Sequence, residues 1–439
     1  MKKSHAVSAI RHILDQELHS TKLHKFSESA RLNEDLYLDS VLLMQLLINL
    51  ELSLGVEIPD TVLSKEDFAT VSSLADFLMA QAGETTISDA PEAARVEEFD
   101  DIKVHCFVSC LCESIKANPS VDHRPFYFGV WDSEVLINEK GQLAYHSDEI
   151  NHDEFRIWYK RMYGVSVMPW YQETLSKEEN LKTLLALIER KSESQHIMVM
   201  LDMFLLPERE NKFNQNPFPH YVMLEKTDDP DIWFMHDPDF RWQGPQNKAQ
   251  VIAAIASEAV AGGYIFDSSH IQASTLGVIR DYFLASFKPN FNPMTDTVRK
   301  IVRAHVASDS SGLCIIGLSD AVKQLPVLAI RKYAYEHAFA FFWRDIGFPE
   351  AEFEFWCDEI EALVSGYKAI QFRAMKLATG HLTQADITAI AQEAFVLLDK
   401  QDECEFRIKR QLYRVFEQWC QKHKFTPSTF QRNTALEAV

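Results

Sequence analysis

Residues 83–101 form a stretch that cannot contribute to a hydrophobic core, and this stretch constrains the fold more than any other feature of the sequence. Large apolar side chains are few in it, whereas charged and small residues and a proline, Pro91, are frequent. Such a composition predicts a flexible linker. We therefore expect the 439-residue chain to fold as separate units, 1–82, 102–280 and 281–439, with the linker after the first.

Charge and cysteine content narrow the class of protein. The sequence has 44 Lys and Arg against 64 Asp and Glu, a net charge of −20. This charge repels nucleic-acid phosphates and anionic lipids, so we expect no nucleic-acid or membrane partner and favour a cationic one. No apolar run reaches the roughly 18 residues of a membrane span, and no secretion signal is recognisable. The seven cysteines include no C-x-x-C pair, which argues against a metal site and for reduced thiols in a cytoplasmic protein.

Hydrophobic periodicity separates helical parts of the chain from a mixed part. In the first unit, residues 41–51 are a run of strong helix formers. The middle unit has short apolar runs bounded by Pro, Asp and Asn, which predict strands. These runs are 127–131, 197–201, 221–225 and 232–235. Beyond residue 281, apolar residues spaced by three and four predict helices at 320–345, 350–378 and 383–418. The predicted fold class is α+β multidomain.

Ser40 stands directly before the apolar helix of the first unit and follows Asp39. A phosphodiester on this serine would lie at a helix N-terminus, where the helix dipole and unpaired N–H groups stabilise negative charge. The simpler alternative is that Ser40 only caps the helix. Two later phrases accompany it, Gly-Val-Glu-Ile-Pro at 55–59 and Thr-Val-Ser-Ser-Leu at 70–74.

In this order, the three phrases resemble an acyl or aryl carrier protein, although Asp39-Ser40-Val41 departs from the Asp-Ser-Leu of that family. The resemblance covers residues 1–82 and implies a four-helix carrier protein. It also implies that 4′-phosphopantetheine is attached covalently to Ser40. A phosphopantetheinyl transferase is then a partner.

A cysteine, a histidine and an aspartate occur in a context typical of nucleophilic catalysis. Cys106 opens an apolar helix soon after the linker, and a helix N-terminus stabilises a thiolate. His220 begins one predicted strand and Asp237 ends the next. The order supplies a nucleophile, a base that takes the thiol proton and an acid that orients the base. We therefore predict Cys106, His220 and Asp237 as the catalytic residues.

Other residues compete for these roles. Cys110 is the main competing nucleophile, and His105, His123 and His236 are competing bases. His236 is expected to point away from the face that carries Asp237, because side chains alternate along a strand. The alternative to a site is that these cysteines and histidines only pack in the core.

The phrases His-Cys at 105–106, Pro-His-Tyr-Val at 219–222 and His-Asp-Pro at 236–238 resemble the butirosin side-chain acyltransferase family. That family has the papain-like fold of the double-glycine leader peptidases. A narrower resemblance is to the siderophore (petrobactin-type) biosynthetic enzymes that condense a dihydroxybenzoyl carrier protein with spermidine. The resemblance implies a papain-like acyltransferase domain over 102–280 and a helical C-terminal domain over 281–439.

The same resemblance implies N-acyl transfer from the carrier, through a cysteine acyl-enzyme, to a primary amine such as spermidine. An acid-activating ligase and a polyamine acceptor are the implied partners. No papain-type glutamine is recognisable upstream of Cys106, so the only oxyanion donor we name is the backbone N–H of Cys106. Two other classes stay open, a cysteine thioesterase or peptidase-like hydrolase and a non-catalytic carrier platform.

Two further expectations concern the acceptor and the carrier. Asp202, Glu208, Asp239 and Trp242 either receive the ammonium groups of a polyamine or belong to a solvated acidic rim. A flexible linker over 83–101 spans roughly 22–26 Å, which gives an effective concentration on the order of millimolar. Delivery of the acyl group within one chain is therefore expected, and delivery between two chains stays open.

Overall fold

The structure is a computed structural model, which describes most of the chain but not the predicted linker. The described residues are 3–18, 22–38, 40–54, 56, 58, 69–81, 104–146, 152–209, 215–307, 313–379 and 382–425. Asp39, Gly55 and Pro59 lie outside them, and for Ser40, Val41 and Leu52 only the backbone is described. No helix within these ranges combines the length and apolar character that a membrane crossing needs.

The N-terminal unit is helical, as predicted. Its described helices are α1 (Lys3–Gln16), α2 (Ser40–Leu54) and α3 (Val71–Gln81), with a short 3₁₀ helix at Leu23–Lys25. α2 contains the predicted helix 41–51, and it is apolar on nearly all sides because neighbours cover it. α1 packs against both α2 and α3. The shared core includes Ile10, Leu47 and Leu74, none of them more than 1% exposed.

A six-stranded antiparallel sheet forms the centre of the middle region. A small hairpin, β1 (Leu136–Ile137) and β2 (Leu143–Ala144), precedes it. The sheet strands are β3 (Met168–Pro169), β4 (Gln195–Asp202), β5 (Pro219–Lys226), β6 (Ile232–Asp237), β7 (Trp242–Asn247) and β8 (Gly263–Asp267). Their order is β3-β8-β4-β5-β6-β7. Three of the four predicted strands are therefore confirmed as β4, β5 and β6.

The predicted strand at 127–131 is wrong. Residues Arg124–Gly129 form a 3₁₀ helix, with Pro125 in its first turn. Phe126 and Phe128 are fully buried, because the later helices of the chain pack against this segment. A short apolar run that is covered on all sides has the composition of a buried strand, and periodicity alone does not separate the two.

Helices cover the sheet. They are α4 (Cys106–Lys116), α5 (Asp153–Tyr163), α6 (Lys177–Arg190), α7 (Lys248–Ile255) and α8 (Leu276–Ser286). α4 packs against β5 in one hydrophobic cluster. α6 packs against β5 and α7 packs against β4 in a second hydrophobic cluster. The middle region therefore mixes helices and a sheet, in agreement with the predicted class.

The C-terminal region is helical, as predicted, but its first part is broken. The helices are α9 (Pro293–Ala307), α10 (Leu318–Ala321), α11 (Leu325–Ala329), α12 (Ala334–Ile346), α13 (Glu350–Leu377) and α14 (Gln384–Lys422). The predicted single helix 320–345 is thus wrong, because it is divided into α11, a 3₁₀ helix at Ile330–Tyr333 and α12. Pro326 fits only the first turn of a helix, so a new helix begins there. The predicted helices 350–378 and 383–418 are confirmed.

The middle and C-terminal regions share one hydrophobic core. A single buried cluster extends from Val104 to Cys420. The boundary expected between 280 and 281 falls inside α8, which packs against the 3₁₀ helix at Arg124–Gly129. These two regions therefore pack as one body.

A buried network of four charges connects the shared core. Lys409 pairs with Asp132 at 2.8 Å, and Lys332 pairs with Glu405. None of the four side chains is more than 1% exposed. Lys332 also donates to the backbone carbonyl of Trp131 at 2.6 Å. The network therefore fixes α14 and the 3₁₀ helix Ile330–Tyr333 against the loop before β1.

Candidate active site

Cys106 is the first residue of α4, as expected, and a buried carboxylate holds this end of the helix. One oxygen of Asp239 accepts hydrogen bonds from the backbone N–H groups of Val104 at 3.2 Å and His105 at 3.1 Å. The same oxygen accepts from the hydroxyl of Ser109 at 2.8 Å. Cys106 is only 9% exposed. Its sulfur is thus held at a fixed position beside the start of the helix.

The sheet register brings His220 and Asp237 onto one face. Met223 of β5 lies opposite His236 of β6. Because side chains alternate along each strand, Asp237 and His220 both lie on the other face, next to each other on the diagonal. Nε2 of His220 lies 2.8 Å from Oδ1 of Asp237. Both side chains are almost completely buried.

Asp237 is held by groups besides His220. Arg209 donates to its second oxygen at 2.6 Å, and the backbone N–H of Phe240 donates at 3.3 Å. Burial raises the pKa of Asp237, but the charges of His220 and Arg209 outweigh it and leave that pKa below its usual value. Asp237 is therefore an anion whose orientation is fixed.

Cys106 and His220 contact each other, and both line a recess. Burial lowers the pKa of His220, but the charge of Asp237, its hydrogen bond and the hydrogen bond with Cys106 raise that pKa well above 6.5. Since Nε2 is used by Asp237, Nδ1 is the ring nitrogen available to the sulfur. A protonated imidazole between a carboxylate and a thiol stabilises a thiolate. The structure thus brings the three residues named from the sequence into one arrangement.

Two recesses border Cys106, and both are lined by Tyr145 and Arg331. The first is lined by Val104, His105, Cys106, Tyr145, Phe218, His220, Asp239, Phe240, Val327, Ile330 and Arg331. The second is lined by His105, Cys106, Tyr145, His146, His152, Met200, Pro219, Tyr221 and Arg331. Cys106 therefore lines both recesses although its side chain is largely buried.

Sequence reasoning missed Arg331 and Tyr145. The Arg331 side chain is 7% exposed, and it donates to the hydroxyl of Ser133 and the carbonyl of Glu134, both at 3.1 Å. Burial lowers the pKa of Arg331 to about 10, so it remains a cation. The Tyr145 hydroxyl donates to the carbonyl of Pro219 and contacts Cys106. Neither residue lies in a motif, so the sequence holds no local signal for them.

The competing candidates occupy other positions. Burial raises the pKa of the Cys110 thiol well above its usual value, and this thiol donates to the carbonyl of Tyr221. His236 points off the other face of the sheet, 3.8 Å from Glu225. His123 packs against the ring of His337. None of them contacts Cys106 and Asp237 as His220 does.

His105 does border both recesses. Burial, with the nearby charge of Arg331, holds the pKa of His105 well below its usual value, so the ring is neutral. Its Nδ1 atom is buried and has no hydrogen-bond partner among the described residues. The ring packs against those of His152 and Phe155, with ring centroids 5.8 and 5.4 Å away.

Most of the acidic residues expected to receive a polyamine have structural roles instead. Asp202 is 4% exposed and accepts from the backbone N–H groups of Phe204 and Phe218. Asp239 holds the start of α4. The Trp242 ring is covered by the guanidinium of Arg209, 3.7 Å from the ring centroid. Buried carboxylates that accept backbone hydrogen bonds are not free to bind a cation, which is why this expectation is wrong for both aspartates.

Ser40 is the first residue of α2. The first N–H groups of a helix have no acceptor within the helix, and they favour a phosphate at this position. The backbone geometry therefore fits a phosphopantetheine phosphodiester on Ser40.

Family models match nearly the whole chain. A phosphopantetheine attachment site model matches residues 9–78. The DUF6005 N-terminal domain matches residues 101–271, and the DUF6005 C-terminal domain matches residues 277–433. The class is therefore a carrier protein fused to a larger two-part protein, and the carrier part takes a covalently bound 4′-phosphopantetheine.

Two relatives from Bacillus anthracis match the two parts separately. Petrobactin synthase is 44% identical over 318 residues, which are 72% of this chain and 95% of the relative. Acyl carrier protein AsbD is 31% identical over 78 residues, which are 18% of this chain and 86% of that relative. The chain belongs to the petrobactin synthase family, with an acyl carrier protein fused at its N-terminal side.

Proposed function

We propose that this protein is a carrier-dependent N-acyltransferase of siderophore biosynthesis. It moves an aryl or acyl group from its own carrier unit, through an acyl-enzyme on Cys106, to a primary amine such as spermidine. The observation that carries the proposal is the contact of Cys106 with His220, whose other nitrogen is 2.8 Å from Asp237, beside a recess that both residues line. Nucleophile, base and orienting acid are thus adjacent.

Ser40 holds the 4′-phosphopantetheine in this proposal, and that group supplies the thiol on which the acyl substrate arrives as a thioester. The Cys106 thiolate attacks the thioester carbonyl and forms a new C–S bond. His220 gives its proton to the departing thiol as the old C–S bond breaks. An acyl-cysteine remains, and His220 is neutral.

The second half of the reaction uses the same residues in reverse. The amine attacks the acyl-cysteine, and His220 takes a proton from the attacking nitrogen. The C–N bond forms, the bond to Cys106 breaks, and the product is an amide. Asp237 keeps the imidazole in one orientation throughout. Because the recess keeps most of the sulfur from solvent, water is a poor competitor for the acyl group.

Two groups near Cys106 are suited to stabilise the negative oxygen that forms during each attack. The backbone N–H of Cys106 is at the start of α4 and points along the helix dipole. Arg331 brings a buried positive charge to the edge of both recesses.

The relatives and the composition support the substrate classes. The name petrobactin synthase, at 44% identity, supports siderophore biosynthesis and a polyamine acceptor. The net charge of −20 favours a cationic acceptor. A cysteine at a helix N-terminus beside an antiparallel sheet that bears the histidine supports a papain-like fold. A phosphopantetheinyl transferase and an acid-activating ligase are the partners that such a carrier requires.

The test is transfer by the full-length protein after 4′-phosphopantetheine attachment and loading by a ligase with 2,3- or 3,4-dihydroxybenzoic acid. We expect intact-protein and product mass spectrometry to show an amide when spermidine is present. Cys106→Ala should abolish amide formation, whereas Cys314→Ala, which changes an exposed cysteine, should not. Free acid as the main product with spermidine present would identify a thioesterase. Full activity of Cys106→Ala would refute the nucleophile.

A further inference from the structure

One face of α13 is turned away from the shared core. Phe372, Met375 and Lys376 are spaced by three and four residues, so they lie together on that face. The opposite face carries Ile370 and Ala374, which belong to the shared core. We call the surface formed by Phe372, Met375 and Lys376 the carrier seat.

The carrier unit covers the carrier seat. Phe372 is 0% exposed and Met375 is 6% exposed, and both pack in the same cluster as the core of the carrier unit. α2 contacts α13 directly. The hydrophobic core of the carrier unit is therefore continuous with two side chains of the C-terminal region.

An ion pair accompanies this apolar contact. Nζ of Lys376 lies 2.6 Å from Oε1 of Glu51 on α2, with the two side chains 22% and 12% exposed. The other oxygen of Glu51 is buried and has no hydrogen-bond partner among the described residues. A carboxylate this buried depends on Lys376 for its compensation, so a like charge at position 376 is strongly unfavourable.

The carrier seat belongs to the helix that supports the wall of the active-site recess. α13 packs against α11 and the 3₁₀ helix Ile330–Tyr333. These segments place Val327 and Arg331 in the recess beside Cys106. Along α2, Glu51 is about 17 Å from Ser40 at 1.5 Å per residue. The contact thus holds α2 by its C-terminal part and does not use the end that bears Ser40.

We propose that the carrier seat is the docking surface from which the carrier unit of the same chain delivers its acyl group to Cys106. The occupant is α2 of the carrier, recognised by Glu51 and by the apolar side chains around Phe372 and Met375. This inference rests on the proposed function, since it assigns the surface that its donor uses.

The first experiment asks whether the carrier seat is occupied in solution. A carbodiimide joins a carboxylate to an amine only when the two are in contact, so it should link Glu51 to Lys376 in the full-length protein. Peptide mass spectrometry should find this link, and Glu51→Gln should remove it. Absence of the link in the unmodified protein would overturn the proposal.

The second experiment asks whether the carrier seat serves delivery. Lys376→Glu should slow single-turnover transfer from the loaded carrier to the amine by about tenfold or more. Glu51→Lys should do the same, and the double variant, which exchanges the charges, should restore most of the rate. Lys400→Glu reverses an exposed lysine on α14 and should change nothing. An unchanged rate in Lys376→Glu would refute a role in delivery.

A small thioester substrate separates this inference from the proposed function. An N-acetylcysteamine thioester reaches Cys106 without the carrier. This thioester should therefore acylate Cys106 of the Lys376→Glu variant as fast as Cys106 of the unmodified protein. If both the small thioester and the loaded carrier fail in the unmodified protein, the proposed function is wrong. If only the charge exchange fails to restore transfer, the proposed function stands and the carrier seat does not serve delivery.

Discussion

Three independent groups act on the sulfur of Cys106. The start of α4 contributes its dipole, His220 a protonated imidazole, and Arg331 a permanent charge. Each group comes from a different part of the chain. Their effects on the sulfur are therefore separable by single substitutions.

Asp237→Asn should leave the side-chain volume at the site unchanged but remove the charge that keeps His220 protonated. Burial lowers the pKa of His220, and without the Asp237 carboxylate this effect dominates. The ring is then neutral near pH 7 and no longer stabilises a thiolate. We expect alkylation of Cys106 by iodoacetamide at pH 7 to slow by about tenfold or more, because the sulfur loses the neighbouring positive charge. An unchanged alkylation rate would show that the ion pair of His220 and Asp237 does not activate Cys106.

The same variant should lose stability in a defined pH range. The raised pKa of His220 stabilises the fold below about 6.5, and this contribution is lost as pH rises through the folded-state pKa. The lowered pKa of Asp237 stabilises the fold above about 3.8, and this contribution is lost as pH falls through its folded-state pKa. Between about pH 3.8 and 6.5 both stabilising contributions are fully present. Urea unfolding should therefore show a larger deficit of Asp237→Asn at pH 5.5 than at pH 9, and equal deficits would contradict the assignment.

Arg331→Met should lower the rate of acyl transfer with little change in amine KM. In the proposed mechanism the arginine stabilises the developing oxyanion, and one such donor accounts for about 10²-fold in rate. Arg331→Lys should recover part of this rate, because it keeps the charge but not the two hydrogen bonds to Ser133 and Glu134. Steady-state kinetics of both variants are the measurement. If the Arg331→Lys and Arg331→Met variants transfer the acyl group equally slowly, Arg331 acts only through packing.

The sequence predicted where Cys106, His220 and Asp237 lie, because each stands at the end of an element that periodicity identifies, and their catalytic role stays a prediction. A strand end and a helix start place side chains predictably. Arg331 lies in a segment whose pattern predicts only a core helix, and its approach to Cys106 depends on tertiary packing. Asp202 and Asp239 were misjudged for the same reason, since acidity in a sequence does not reveal whether backbone N–H groups surround the carboxylate.

At the scale of helices and strands, the buried charge network connects α14 to the segment that bears Arg331. It holds Lys332, and therefore the adjacent Arg331, through contacts to α14 and to the loop before β1. Lys409 additionally donates to the carbonyls of Lys288 and Phe291 at 3.0 and 2.8 Å. α14 thus positions an active-site residue without contacting the recess.

Lys409→Met should destabilise the fold by about 3–5 kcal/mol, because it leaves Asp132 buried without its main partner. Urea unfolding gives the measurement. Lys300→Met breaks an exposed pair with Asp296 and should have no measurable effect. A loss below 1 kcal/mol for Lys409→Met would mean that the network adds little to folding.

Two predicted elements are wrong, because tertiary packing and prolines outweigh the hydrophobic pattern of the sequence there. Residues 127–131 have the composition of a strand, but helices surround them and Pro125 favours a 3₁₀ turn. Residues 320–345 have helical periodicity, yet Pro326 and the turn at Ile330–Tyr333 interrupt it. Long uninterrupted patterns such as that of α14 were correctly predicted, because nothing in the sequence competes with the helix.

In the whole molecule, delivery within one chain should be independent of protein concentration. A mixture of Ser40→Ala, which keeps the nucleophile, and loaded Cys106→Ala, which keeps the carrier, can react only between chains. Its single-turnover rate should rise with concentration, while that of the unmodified protein stays constant. Quenched-flow mass spectrometry over micromolar concentrations is the measurement. If the mixture and the unmodified protein react at the same rate at every concentration, the result would favour delivery between chains of a stable oligomer.

The hydrophobic cluster that runs from Val104 to Cys420 determines how this polypeptide can be recombined with its relatives. A division of the chain after position 280 would cut α8 in two and separate Cys106 from Arg331. Both fragments would expose apolar surface and aggregate. A crossover within 83–101 avoids that cluster, so the carrier is the part that engineers can replace, provided that the new carrier keeps an acid where Glu51 stands.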